Sequence, residues 1–347
     1  MNKNEMKKIR LALLGFGNAG QAFAKLLLEK QDLIEKKYNC KVIVTAIATN
    51  SKGNLLCPEG IDLNEILEEL QKNGKFSNKG LLSDMGAIEI ATRAEYDVLV
   101  EMTPLNIFSG QPAISHIEAA FARGKNVITA NKGPIAWKFS ELQKMAKDNG
   151  SKFFYETTVM DGTPVFNLAE KTLQMCEVTE VSGILNSTTN FILEELAAGT
   201  DYGEIMVRGR EMGFIEADSA MDIEGYDAAA KTTALLNVLM NANITPDMIE
   251  RKGIEDITIA DIEAAARRGN VIKLLCRGTR DKDGKVKGTV APTEVPKGDM
   301  LASVNSTTSV VSITTDLMKK ISIFEHEPEI EQTAYGIFGD LLRVLGE

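Results

Sequence analysis

A short apolar run, Ile9-Arg-Leu-Ala-Leu-Leu14, leads directly into Gly15-Phe16-Gly17-Asn18-Ala19-Gly20, and the chain then takes up a helical apolar period in Gln21-Ala-Phe-Ala-Lys-Leu-Leu-Leu28. A strand, a glycine turn and a helix in that order leave few folds open. The pattern G-x-G-x-x-G carries a physical division of labour: the first glycine makes the tight turn, the second lets backbone approach a pyrophosphate, and the third lets helix and strand pack closely. The helix N-terminus adds a positive dipole that favours an anion there. Residues Gly15 to Gly20 therefore read as a dinucleotide-binding turn rather than a coincidental cluster of small residues.

Further strands follow at Val42–Ala48, Asp97–Met102, Asn126–Thr129 and Lys152–Tyr155, with a helix at about 111–123. Alternating strands and helices imply an α/β chain with a Rossmann-type, doubly wound, mostly parallel sheet. The second strand runs into Thr49-Asn50-Ser51-Lys52, where a site preferring NAD would carry an acid for the ribose hydroxyls. Ser51 and Lys52 can instead receive a 2′-phosphate, which favours NADP slightly over NAD; otherwise Lys52 is an ordinary turn lysine. After about residue 150 the texture changes, with strand-like runs at Val178–Leu185 and Val286–Ala291 and long helices between them. The Asp-Gly turn in Arg280-Asp-Lys-Asp-Gly-Lys-Val286 marks a hairpin. The expected organisation is a nucleotide-binding domain over 1–150, an α+β substrate-binding and dimerisation domain over 151–313, and a C-terminal helix over about 314–347 that packs back on the first.

The composition limits what such a chain does. A length of 347 residues with 44% hydrophobic content can bury two cores, and no apolar run is long enough to span a bilayer. A net charge of −10 with scattered Lys and Arg offers no basic face to nucleic acid, so a small molecule is the expected partner, with neither nucleic acid nor membrane. Cys40, Cys57, Cys176 and Cys276 are far apart and form no C-x-x-C pair, which fits a reducing cytoplasm, and no signal-peptide pattern follows the charged N-terminus. The histidines are His116 and His326, too few for a multi-histidine metal centre and expected at the surface. Proton transfer falls to Lys, Asp, Glu or Tyr.

The segment Glu216-Ala-Asp218-Ser-Ala-Met-Asp222-Ile-Glu-Gly225-Tyr-Asp227-Ala-Ala-Ala-Lys231 supplies such groups. From Asp227 onward, strong helix formers and apolar residues on most sides predict a buried helix with Lys231 on its wall. Asp227 and Lys231 stand four apart with the acid N-terminal, the favourable order for a pair on one helical face. In solvent that pair contributes about 0.3–0.5 kcal/mol. In a dry cleft, burial and the neighbouring carboxylate perturb the lysine in opposite directions, a combination that marks proton-transfer sites. Glu216 and Asp222 offer acceptors for a substrate ammonium.

The order of motifs resembles homoserine dehydrogenase in its short form, without an attached kinase or regulatory domain. The resemblance covers nearly the whole chain and rests on Gly15–Gly20, Glu101-Met-Thr-Pro104, Thr129-Ala-Asn-Lys132, Tyr155-Glu-Thr-Thr-Val-Met-Asp-Gly-Thr-Pro164, Gly183-Ile-Leu-Asn-Ser-Thr-Thr-Asn-Phe-Ile192 and the Glu216–Lys231 segment. It implies reversible reduction of aspartate 4-semialdehyde to homoserine with NADP or NAD, in threonine, methionine and isoleucine biosynthesis, by a homodimer. By the same resemblance Lys231 is the proton donor, Lys132 lies beside nicotinamide and substrate, and Glu216 binds the substrate amino group. Asp222 and Asp227 complete the acidic cradle, Thr103 meets the nicotinamide end, and Asn186 and Thr188 border the substrate pocket. It also implies a monovalent cation such as Na+ held by Glu156 and by the carbonyls of Val159, Asp161 and Thr163; a plain Gly-Thr-Pro turn without metal is the alternative. Lys132 is otherwise a turn lysine, Thr103 a strand cap, and Asn186 to Asn190 a polar helix cap.

Two departures from the family pattern stand out. Ser219 replaces a usual proline and Ile215 a usual small residue, which loosens the approach to Asp222. The usual glycine-rich turn near the C-terminus is replaced by Phe324-Glu-His-Glu-Pro-Glu-Ile-Glu331, whose carboxylates would repel a pyrophosphate, although Thr333-Ala334 and Asp340-Leu-Leu342 match. Two further readings stay open on the sequence: a related oxidoreductase acting on another amino-acid aldehyde or keto acid, and a nucleotide-binding paralogue without catalysis.

Overall fold

The computed structural model of the chain describes residues 6–213, 215 and 219–346. Its described residues divide into two compact units, one within 6–134, 138–163 and 329–346, the other within 135–137 and 164–328.

The first unit runs β1 (Lys7–Leu14), α1 (Asn18–Tyr38), β2 (Cys40–Ala48), β3 (Leu55–Leu56), α2 (Leu63–Asn73), α3 (Ala87–Arg93), β4 (Val98–Glu101), α4 (Ala113–Ala122), β5 (Asn126–Thr129), α5 (Lys132–Asp148) and β6 (Phe153–Phe154). The C-terminal helix Ile330–Gly346 belongs to the same unit. Its sheet has the order β3-β2-β1-β4-β5-β6, parallel throughout except where β3 pairs antiparallel with β2. Both faces are covered, as a parallel sheet requires, and the strand period of two divides the core. Leu11 and Leu13 of β1 join one cluster with Phe23, Leu27 and the helix residues Ile337 and Leu341, while Ala12 and Leu14 join the other with Ile117 and Phe121 of α4. Register then fixes where a ligand can bind. Leu14 pairs with Ala48 on one side and Glu101 on the other, and Glu101 with Thr129. Four strands thus end level, placing Gly15, Thr49, Met102 and Ala130 along one carboxyl edge.

The second unit runs α6 (Val165–Thr172), β7 (Val178–Ile184), α7 (Ser187–Ala197), α8 (Tyr202–Glu211), α9 (Ala220–Ile223), α10 (Tyr226–Met240), β8 (Glu250–Arg251), α11 (Ile259–Arg267), β9 (Asn270–Arg280), β10 (Val286–Pro296), β11 (Ser309–Thr315) and β12 (Lys319–Glu325). The sheet order is β12-β11-β7-β9-β10-β8, antiparallel except for the β8–β10 pair. The expected hairpin is present as β9 and β10, closed by Gly284 at φ +81° and by Asp281 Oδ1, which accepts from the backbone N–H of Asp283 and Lys285. Gly278 and Gly288 face each other across that hairpin. A Cβ on either would run into Leu236, so these two glycines let α10 lie directly on the sheet.

The units depart from the expected boundaries. Residues 151–163 belong to the first unit, and 314–328 to the second, where a helix was expected. The segment Lys319–Glu325 is a strand because Ile321 and Ile323 alternate with Lys320 and Ser322, a period of two that pairs with β11. The helix begins only at Ile330.

Candidate active site

The candidate cofactor site is the carboxyl edge of the parallel sheet. Gly15 has φ +97°, and a Cβ there would collide with the Met102 carbonyl, so the turn demands glycine. A Cβ on Gly20 would stand 2.9 Å from the Gly15 carbonyl, which explains the third glycine as a packing contact. Around the Cβ position of Gly17 there is nothing within 4 Å. Gly17 is also the N-cap of α1, which starts without a side-chain cap. Backbone N–H groups left uncapped at a helix start, with space in front of them, fit a pyrophosphate. A cleft of about 410 Å³ opens here, lined by Gly15, Phe16 and Gly17 from the turn, Thr49–Lys52 after β2, and Thr103 after β4. Ala48, Asn54, Gly86, Ala87, Met102 and Pro104 complete its wall, which contains no carboxylate. Thr49 shapes the β2 end: its N–H donates to Asn54 Oδ1 at 2.8 Å, and its Oγ1 accepts from the Lys52 N–H at 2.9 Å.

Lys132 is the first residue of α5 and is half-buried. Its turn is held by Asn131, whose Oδ1 accepts from the Gly133 N–H at 3.0 Å and whose Nδ2 donates to the Thr103 carbonyl at 3.0 Å. One asparagine thereby ties the lysine-bearing helix start to the residue at the mouth of the cleft.

A second cluster lies in the other unit, where α7, α9 and α10 bring Lys231, Asp227, Asn186, Asp222 and Thr188 together. Lys231 Nζ donates to the Leu185 carbonyl at 2.8 Å and stands 3.4 Å from Asp227 Oδ2. The two side chains are only 20% and 14% exposed, so the pair is not the solvated one that spacing alone allows. Asn186 links the acids: its Nδ2 donates to Asp222 Oδ1 at 2.6 Å and to Asp227 Oδ2 at 3.0 Å. Its Oδ1 meanwhile caps α7 by accepting from the Thr189 N–H and hydroxyl, both at 2.9 Å. Thr188 hydrogen-bonds Asp222 as well. Burial, and secondarily the charge of Asp227, push the Asp222 carboxyl above its usual range; Asn186, Lys231 and Thr188 oppose that shift. A carboxylate pair held by one amide beside a lysine suits a zwitterionic ligand, whose ammonium needs acceptors and whose reacting oxygen needs a proton source. Glu216, expected among these acceptors, lies outside the described residues.

The expected cation loop belongs to the first unit. Glu156 opens a short 3-10 turn, is 4% exposed, and its N–H donates to Asp340 Oδ2 at 3.0 Å. Asp161, at φ +41°, accepts from the Thr333 hydroxyl at 2.6 Å. Gly336 packs against Gly162 so closely that a Cβ on it would stand 2.8 Å from the Gly162 Cα. The loop Glu156–Thr163 is therefore clamped by the C-terminal helix. Among the described residues no cluster of three or more His, Cys, Asp and Glu side chains forms a metal centre. A site of one carboxylate and several carbonyls is of another kind, suited to hard monovalent cations.

Several residues at the site carry no motif of their own. Leu185 contributes only a carbonyl, which no sequence pattern announces. His116, expected at the surface, is 3% exposed, and its Nδ1 sits 2.7 Å from Oε2 of the fully buried Glu101. The signal was present in the helical period: Ala113, His116, Ile117 and Ala120 share the buried face of α4. His326 does lie exposed, stacked on Phe324. The acidic 324–331 segment splits between the units. Glu325 and Glu327 belong to the second, whereas Glu331 lines a groove of about 420 Å³ with Asn18, Gln21 and Lys25 of α1. Of the acidic residues in that segment Glu331 lines this groove, next to Ile330, and Lys25 shares it.

Comparison with known proteins agrees with this geometry. Residues 15–156 match the family model for the homoserine dehydrogenase NAD-binding domain, and residues 164–342 the model for homoserine dehydrogenase itself. The chain is 37% identical over 338 residues to a homoserine dehydrogenase of Methanocaldococcus jannaschii, covering 96% of this chain and 98% of the relative. It is 31% identical to an NAD(+)-dependent homoserine dehydrogenase of Pseudomonas canavaninivorans, covering 98% and 97%. A hyperthermophilic archaeal homoserine dehydrogenase solved in complex with NADPH superposes with a TM-score of 0.81 at 26% identity, covering 97% of each chain. With both halves matched and the relatives spanned nearly end to end, the chain belongs to the homoserine dehydrogenase family of NAD(P)-dependent oxidoreductases.

Proposed function

We propose that this chain interconverts L-homoserine and L-aspartate 4-semialdehyde at the sites described, with Lys231 as the proton-transfer group. The observation that carries this reading is the network Lys231–Asp227–Asn186–Asp222. A bound nicotinamide supplies or accepts the hydride. Lys231 Nζ, directed by the Leu185 carbonyl and by Asp227, gives a proton to the aldehyde oxygen as it becomes an alkoxide and takes it back in the reverse direction. Asp227 stabilises the ammonium form of that lysine. Asp222, with Glu216 and Thr188, holds the substrate ammonium, and Asn186 keeps the two aspartates from repelling each other. Lys132, at the head of α5, serves the same reaction as the cation of the nucleotide-binding unit. The readings as another amino-acid dehydrogenase or as a non-catalytic paralogue are not favoured, because the acid–lysine network is built and the relatives named above are homoserine dehydrogenases.

In the cofactor cleft the pyrophosphate sits on Gly15–Gly20, with Phe16, Asn18 and Ala19 shaping the turn, and Thr103 meets the nicotinamide end. NADP is favoured over NAD because the cleft wall at Thr49–Lys52 offers Ser51 and Lys52 and no acid for the ribose hydroxyls. A monovalent cation such as Na+ is held by Glu156 and the carbonyls of Val159, Asp161 and Thr163; the clamping of that loop supports the assignment. The working unit is a homodimer formed through the sheet of the second unit, in the cytoplasm, where Cys40, Cys57, Cys176 and Cys276 stay as the free thiols they are.

The test is homoserine-dependent reduction of NADP and of NAD, followed by nicotinamide absorbance at alkaline pH. Lys231→Ala is expected to lower kcat by about 10²–10⁴, with circular dichroism and NADP binding unchanged. Absence of turnover in the wild type, or undiminished turnover in the variant, refutes the assignment.

A further inference from the structure

The mechanism above leaves unused a buried charged group close to the cofactor cleft. Glu101, the last residue of β4, is fully buried, yet its carboxyl is surrounded by donors. Oε1 accepts from the Thr103 N–H at 2.8 Å and from the Thr103 hydroxyl, and Oε2 faces His116 Nδ1 at 2.7 Å. An ionised carboxylate can only accept, and three donors are what such a group needs when water is excluded. With Oε2 accepting, Nδ1 of His116 carries the proton.

The same residue ties together the parts of the cleft mouth. Thr103, held twice by Glu101, lines the cleft with Gly15 and Gly17. The Thr103 carbonyl accepts from Asn131 Nδ2, and Asn131 Oδ1 caps the turn that carries Lys132. The Glu101 carbonyl receives the N–H of Ala130 at 3.0 Å and the hydroxyl of Thr129 at 3.3 Å, closing the network on the neighbouring strand. A glutamate is a costly way to buttress a threonine, because burying a carboxylate is unfavourable even when it is paired. An amide or a water would tie the same backbone at lower cost.

We propose that Glu101, oriented by His116, is a positioning residue that also places a fixed negative charge behind Thr103, so that the site binds the oxidised, positively charged nicotinamide in preference to the reduced, neutral one. This rests on the reading of Thr103 as the nicotinamide end of the cleft. Hydride transfer turns a pyridinium cation into a neutral dihydropyridine, and a carboxylate screened from water distinguishes the two forms where a dipole of the same shape does so far less. The arrangement favours retention of the oxidised cofactor over the reduced one.

The experiment is equilibrium titration of the intact protein with NADP and, separately, NADPH, by calorimetry and by dihydronicotinamide fluorescence, for wild type, Glu101→Gln and His116→Gln. Glu101→Gln keeps the shape and removes the charge; Kd for NADP is expected to rise at least on the order of tenfold relative to that for NADPH, the scale of one charge–charge interaction across about 12 Å at an effective dielectric of about 20. His116→Gln still offers Oε2 an amide donor and leaves the carboxylate in place, so its NADP-to-NADPH ratio stays at the wild-type value or shifts toward NADP. Equal weakening of both forms in Glu101→Gln, or no change in either, makes Glu101 a structural residue and overturns the proposal. If Glu101→Gln does not fold, a shift toward NADPH in His116→Gln overturns it instead. Failure of the wild type to bind either form is a different result: it refutes the nucleotide site itself.

Discussion

Asn186→Asp is the sharpest test of the acidic network, because it replaces one atom group and leaves the helix cap in place. The retained oxygen still accepts from the Thr189 N–H and hydroxyl. What changes is the group that donates to Asp222 at 2.6 Å and to Asp227 at 3.0 Å, which becomes an acceptor facing two acceptors. A hydrogen bond to a charged group contributes roughly 1.5–3 kcal/mol, so two are worth about 3–6 at full burial. Asp227 is 14% exposed and its lysine partner 20%, which brings the expected loss to the lower end, about 3 kcal/mol near pH 8. The sign of the pH dependence follows from linkage. Three carboxyls crowded together bind protons more tightly folded than unfolded, so stability falls as pH rises through the raised values and recovers toward about pH 5. Urea unfolding of the variant and wild type at both pH values measures this, with Asn186→Ala as the control that loses the cap as well. Equal stability of Asn186→Asp and wild type near pH 8, or a loss that does not shrink on acidification, would show that Asn186 does not mediate between the two aspartates.

Further outcomes follow from the same geometry. Gly17→Ala is expected to keep wild-type stability and to weaken cofactor binding, since nothing stands within 4 Å of the new methyl, whereas Gly15→Ala, at φ +97° and against the Met102 carbonyl, costs well over about 1 kcal/mol in unfolding free energy. A denaturation series with paired NADP titrations separates them, and the reverse order would refute the assigned roles. Asp222, pushed up by burial and by Asp227, must be ionised to hold an ammonium, so kcat/KM for homoserine falls on acidification at a pH above the usual carboxylate value of 3.8. Its own linkage runs the other way: the folded state holds this proton more tightly, so the contribution to stability is present at low pH and lost as pH rises through the raised value. Asp222→Asn should abolish the acid limb of the pH–rate profile, and an unaltered limb assigns it to another group.

Much of the cofactor half was legible in the chain because its signals are local. The strand–glycine–helix turn needs only neighbouring residues to declare itself, and Gly15 and Gly20 meet the steric demands their spacing implied, while Gly17 leaves open space. The Asp227–Lys231 pair was equally readable, being set by one helical period. Other features were hidden for a physical reason. The strand Lys319–Glu325 is hard to tell from an amphipathic helix because what selects its period of two is the hairpin it forms with β11, and β11 itself is held by β7, more than 120 residues earlier in the chain. His116 reads as a surface residue as long as its ring has no partner in view, and its carboxylate partner lies 15 residues away on a different element.

The sequence by itself thus determined the parallel α/β class, the glycine turn, the family and the ionisable groups available for proton transfer, all of which depend on short-range periodicity or on residue identity. Tertiary structure alone decided how those groups act. It set Asn186 between two aspartates that stand 36 and 41 residues from it, gave Lys231 a carbonyl from another element, and enclosed Glu101 among donors from its own loop and α4. Hydrogen-bond strength and charge state depend on burial and on partners brought together by folding, and neither is encoded in any local stretch of the chain.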